Sequence, residues 1–96
     1  MFVSVRTYND CPDVPALTRR VKKVLVSKIQ EMKGFHSYTI VDLGEGTAIS
    51  ISVFATRANS EAANKKVRAL VTEGFLDLAP NLPTVVVGKV LSETRA

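Results

Sequence analysis

The side chains in this sequence that could do chemistry are few, and most gather in one stretch, Gly34 to Phe54. His36 is the only histidine and stands two residues before Tyr38. An imidazole beside a phenol could position or deprotonate a phenolic substrate. Further along the same stretch, Ser50 and Ser52 alternate with Ile49, Ile51 and Val53, and Phe54 closes the run. Hydroxyls there could donate hydrogen bonds while Phe54 formed an apolar wall. Tyr8 adds a second phenol. Each has a plainer reading: His36 as an exposed strand-end residue beside Gly34, Tyr38 as a core ring with its hydroxyl at the rim, and the serines as small residues where helix and sheet come close. Cys11 is the only cysteine, so no internal disulfide forms, and no cluster of metal-ligating residues points to a metal. No catalytic motif stands out.

Two elements must be joined to place these groups. Gly44-Glu45-Gly46 separates two β-rich runs and reads as a hairpin turn, because glycine supplies the positive φ that tight connections need. A three-residue turn puts His36, Tyr38 and Ile40 on one face with Ser50, Ser52 and Phe54, and Thr39 and Val41 on the other with Ile49 and Ile51. A two-residue turn slips the pairing by one and separates the two polar sets.

Around the hairpin, Met1 to Tyr8 alternates as a strand, with Val3, Val5 and Thr7 opposite Phe2, Ser4, Arg6 and Tyr8. Asp13 can cap a helix that begins near Pro15 and runs to about Lys33, with Val14, Leu17, Val21, Val24, Leu25 and Met32 as its apolar stripe. Lys28 falls within that stripe. Its stem packs while the ammonium reaches solvent, or it points into a pocket that holds an anion or a polar substrate. Thr56 to Ser60 offers caps to a second helix whose inward positions are Ala63, Val67, Leu70, Val71, Gly74 and Leu78. Gly74 there permits close backbone approach or leaves room beneath it. Thr84 to Leu91 is the last strand, followed by a loose tail from Ser92.

The expected fold is therefore α+β, a single domain over residues 1–96, with a ferredoxin-like βαββαβ order, an antiparallel sheet and both helices on one face. That leaves a second face bare, yet Ile49, Ile51 and Val53 alternate there and Val85, Val86 and Val87 make the last strand apolar on both sides. A second copy of the chain is the economical cover, so a homodimer is expected. The net charge of +4 comes largely from solvated helix faces without interleaved aromatic residues, which argues against nucleic acid as a partner. No segment is apolar and long enough to cross a bilayer and the first residues do not resemble a secretion signal, so the expected location is cytoplasmic and no membrane partner is expected.

With these elements placed, the chain resembles the antibiotic biosynthesis monooxygenase-like family of dimeric α+β barrel proteins. The likeness rests on Phe2 to Val5, on Lys33-Gly34-Phe35 leading into the hairpin, on Ser52-Val53-Phe54, and on Ser60-Glu61-Ala62-Ala63 after a polar break. The resemblance implies homodimers whose sheets pack face to face, through Ile49, Ile51 and Val53 here, and a cavity between sheet and helices. In the enzymes of the family that cavity holds a small aromatic or quinol-like substrate, oxidised by oxygen without a metal or added flavin, so no cofactor is expected. Carried onto this chain, the site would take His36 and Tyr38 as catalytic groups and Thr7, Lys28, Ser50, Ser52, Phe54 and Gly74 as pocket residues. The haem-degrading branch is not implied. Its asparagine falls on or near Thr7, its tryptophan near Phe54, and the second helix has no histidine. The other reading is a non-catalytic small-molecule-binding or interaction module on the same fold.

Overall fold

The computed structural model describes residues 1–96. Strand β1 (Phe2–Tyr8) leads into a helical segment of three parts: α1 (Val14–Arg20), a π-helical stretch (Val21–Leu25) and α2 (Val26–Gln30). The Asp13 carboxylate accepts the Ala16 N–H at 3.0 Å, and proline occupies the first turn, where no donor is needed. Val14 is buried in the first turn, and beyond it the buried positions are Leu17, Val21, Leu25 and Ile29, recurring every four residues. A regular α-helix would rotate such a stripe off the core, and the wider π turn lets it continue. The same turn carries Lys28 and Val24 to the solvent side, so neither occupies the apolar stripe that regular periodicity predicts. The segment ends at Gln30, capped at Glu31, before the Lys33 expected from sequence.

The hairpin pairs β2 (Phe35–Gly44) with β3 (Thr47–Phe54). Its turn is the two residues Glu45 and Gly46, with φ of 55° and 79°, the left-handed geometry of a tight hairpin. The pairing nonetheless follows the three-residue expectation, Tyr38 opposite Ser52 and Ile40 opposite Ser50, because an irregularity between Asp42 and Gly44 absorbs one residue. A second irregularity between Phe35 and Ser37 sets Phe35 opposite Phe54 and leaves His36 exposed. The two phenyl rings meet edge to face at 5.7 Å.

Helix α3 (Arg57–Gly74) is capped by Thr56, whose hydroxyl accepts the Asn59 N–H at 3.1 Å. It buries Ser60, Ala63, Val67, Leu70 and Val71. Gly74 is exposed at its end, and a Cβ built there meets nothing within 4 Å. The buried residue is its neighbour Phe75, which continues the stripe by a four-residue step from Val71. Strand β4 (Thr84–Lys89) stops two residues short of Leu91.

The four strands form one antiparallel sheet in the order β2-β3-β1-β4, with the helices on one face. On β1 the residues turned under the helices are Ser4, Arg6 and Tyr8, and on β3 they are Ala48, Ser50, Ser52 and Phe54. Val3, Val5, Thr7, Ile49, Ile51 and Val53 lie on the uncovered face, joined by Val86, which is 70 % exposed. The more polar side of the central strands is thus the inner one.

Candidate functional site

The centre of the inner face is occupied by a charge. Arg6 is 1 % exposed, and its guanidinium donates to Ser50 Oγ at 3.3 Å through Nη1 and to Ser52 Oγ at 2.9 Å and Asn64 Oδ1 at 2.7 Å through Nη2. Strand pairing makes this arrangement, since Arg6 stands opposite Ser50 and Ser4 opposite Ser52. Helix α3 completes it: Asn64 Nδ2 donates to Ser4 Oγ at 3.1 Å, and the Ser4 and Ser60 hydroxyls share a hydrogen bond of 2.7 Å. All these partners are neutral. The Arg6 Nε is buried with no acceptor. Loss of solvation pulls the Arg6 pKa below its usual value, a shift that the nearby Tyr38 and Tyr8 oppose.

The two phenols lie beside this cluster. Burial raises Tyr8 well above an ordinary phenol and raises Tyr38 as well, while the Ser50 hydroxyl and Arg6 pull the other way. Both therefore stay neutral at physiological pH and act as hydrogen-bonding groups.

On one side of the cluster a cavity of about 360 Å³ opens between α3 and β4. Arg6 and Asn64 reach it from within, Lys65 and Arg68 line it from α3, and Val67, Leu82, Pro83, Val85 and Val87 make the rest. On the other side a hollow of about 440 Å³ lies against β2 and the π stretch, lined by Tyr38, Ile40, Val21 and Val26 among others. No three or more His, Cys, Asp or Glu side chains come together as a metal would require.

No protein-family model matches the sequence, and no curated protein matches it. Solved structures do match, over nearly the whole chain. A monooxygenase from Streptomyces coelicolor, ActVA-Orf6, in complex with nanaomycin D superposes with a TM-score of 0.76 at 17 % identity, covering 99 % of this chain and 91 % of the other. A dimeric ferredoxin-like protein from an uncultured marine organism gives 0.73 at 19 % identity, with 97 % of each chain covered. A MhuD mutant with two manganese protoporphyrin IX molecules per active site gives 0.75 at 13 % identity, with 100 % of each covered. The fold is that of the antibiotic biosynthesis monooxygenase-like proteins.

Within this fold the residues singled out from sequence fall in three places. Ser50, Ser52, Phe54 and Tyr38 lie on the inner face, the serines bonded to Arg6. His36 sits outside, its Nε2 3.5 Å from Arg95 Nη2 at the surface. Thr7 faces the uncovered side, and Lys28 and Gly74 are exposed away from the cavity, for the reasons of strand alternation, π turn and helix end given above. Ile49, Ile51 and Val53 lie on the uncovered face. Arg6 and Asn64 are the residues that sequence reasoning missed. A signal for Arg6 existed: the first strand of a βαββαβ sheet is central, so whichever of its faces carries Arg6 is a covered one if the chain dimerises. Asn64 carried a weaker signal, four residues after Ser60 and one after the inward Ala63.

Proposed function

We propose that the chain forms a homodimer through the uncovered sheet face and oxidises a small aromatic, quinol-like substrate with oxygen in the cavity between α3 and β4, without a metal or flavin. The observation that carries this reading is Arg6, a buried guanidinium with no carboxylate partner at the floor of a cavity walled in part by apolar side chains. A fixed positive charge in a poorly solvated site lowers the pKa of a quinol hydroxyl next to it. The resulting electron-rich anion can pass electrons to oxygen; one oxygen atom enters the product and the other leaves as water, with all the electrons coming from the substrate. Tyr8 and Tyr38 are held neutral and His36 is at the surface, so the substrate proton leaves to water through the cavity mouth. The monooxygenase in complex with nanaomycin D, similar in fold, supports the choice of an aromatic substrate.

The same absence of a side chain poised to take a proton near neutrality favours a second reading, a non-catalytic binding module with the same cavity. Oxygen uptake separates the two. With an anthrone and a naphthohydroquinone as probes, the oxygenase consumes oxygen above the buffer rate, Arg6→Gln loses that excess, and His36→Ala keeps it. Uptake equal to the buffer rate with both probes refutes the oxygenase and leaves the binding module.

A further inference from the structure

We infer that this cavity is a receptor for an organic anion, and that its ligand is an aromatic carboxylate held by the guanidinium of Arg6. The inference rests on reading the cavity as a substrate site and adds the charge of the substrate. Arg6 is buried, and its three side-chain hydrogen bonds go to Ser50, Ser52 and Asn64, none of which neutralises it. The ion pairs of the molecule are elsewhere and at the surface, Arg20 with Asp77 and Arg95 with Glu93. The cavity wall adds Lys65 and Arg68 and contains no acidic residue, so three cations face one space with no anion among them. A buried charge without a counter-charge destabilises a fold, and a bound anion relieves that cost.

Geometry leaves Arg6 short of acceptors. Its Nε has none in the protein and is closed off from solvent, so an anion in the cavity meets the guanidinium where Arg6 lines that cavity and must displace a neighbour to reach Nε, while Asn64 and Ser52 hold the Nη2 end in place. Asn64 is a positioning residue, braced in turn by Ser4. An N–H of a guanidinium directed at a carboxylate oxygen makes a charge-assisted bond, stronger than a neutral one. Inorganic phosphate would fill little of the space. A volume of about 360 Å³ walled by Val67, Leu82, Pro83 and Val85 suits an apolar ring system carrying its charge at one edge.

The test is calorimetric titration of the full chain with 2-naphthoate, its neutral counterpart 2-naphthamide, and inorganic phosphate. Naphthoate is expected to bind at least roughly tenfold more tightly than the amide, since one charge-assisted bond separates them. Arg6→Gln is expected to weaken naphthoate roughly tenfold to a hundredfold. Lys65→Ala combined with Arg68→Ala, at exposed positions, should weaken it a few-fold and flatten its salt dependence. Should Arg6→Gln fail to fold, the comparison of acid with amide and the Lys65, Arg68 variant still decide. Equal affinity for acid and amide, equal affinity for phosphate, unchanged affinity in Arg6→Gln, or no binding of any probe overturns the inference. Naphthoate selectivity without quinol-driven oxygen uptake removes the oxygenase reading alone. Oxygen uptake with acid and amide bound equally removes the anion receptor alone.

Discussion

Replacing Ile51 by Asp should dissolve the proposed dimer while leaving the subunit folded. Ile51 sits on β3, second in from one edge, opposite Val5 on β1 and Thr39 on β2, and Val5 in turn stands opposite Val86. These residues form a row across the middle of the uncovered face. Within one subunit Ile51 is only half-buried, so the isolated chain tolerates a polar replacement there. In a two-fold dimer the substitution occurs twice. Each copy forfeits about 1.5–3 kcal/mol of isoleucine burial, and each carboxylate forced into the interface without a partner costs several kcal/mol more. A total of at least about 5 kcal/mol raises the dissociation constant by roughly three to four powers of ten. Sedimentation equilibrium from micromolar to high micromolar concentration should show a wild-type dimer and an Ile51→Asp monomer with unchanged far-ultraviolet circular dichroism. Val86→Asp, at a position 70 % exposed, should weaken association by a smaller factor. A wild-type monomer at micromolar concentration, or an Ile51→Asp dimer as tight as wild type, refutes the argument.

Three other outcomes follow from the interior. Phe54 is fully buried and edge-on to Phe35, so Phe54→Ala should lower unfolding free energy by about 3–5 kcal/mol in urea titration, with an unchanged slope. Gly46 has φ of 79° and a Cβ there would lie 2.9 Å from the Cys11 backbone oxygen; Gly46→Ala should therefore cost about 1–2 kcal/mol for its backbone alone, with the clash adding to it, read as a fall in Tm. Burial holds Tyr8 and Tyr38 protonated above the ordinary phenol value, so from about pH 10 upward the unfolded chain binds fewer protons than the folded one. The stability they contribute is complete below about pH 10 and is lost as pH rises toward the folded values. The fall in Tm between about pH 8 and about pH 11 should be smaller in Tyr8→Phe and Tyr38→Phe than in wild type, and an identical fall in all three would contradict the burial argument.

The architecture was legible in the sequence because each element carried its own period and punctuation. The face of the hairpin was legible too, though for an incomplete reason: the turn is two residues long, and an irregularity near Leu43 restores the pairing that a three-residue turn would give. Local departures from regular geometry account for what was not legible. The π stretch moved Lys28 out of the stripe, the irregularity at Phe35 and Ser37 exchanged His36 for Phe35 on the inner face, and the end of α3 made Gly74 a surface residue beside a buried Phe75. Each is a one-residue shift, which periodicity averages away and which hydrogen-bond closure decides.

Arg6 was hidden for a different reason. Strand β1 alternates cleanly, and the usual inference sends its apolar side, Val3 and Val5, to the core of the subunit and its polar side to water. Here the helices cover the polar side. That assignment makes physical sense only if both faces of the sheet are covered: the apolar one by another apolar surface, and the polar one by groups that satisfy it from within, as Ser60 and Asn64 do. The inversion ties two properties of the molecule together. A subunit that keeps a serine and arginine cluster at the centre of its sheet has less apolar surface to bury by itself, so more of its stability must come from pairing the outer face. On the proposed pairing, the cluster that makes the cavity suited to an anion is also the reason a second copy would stabilise the chain, and weakening the outer face by Ile51→Asp should lower the thermal stability of the subunit even though no contact of the inner cluster is touched.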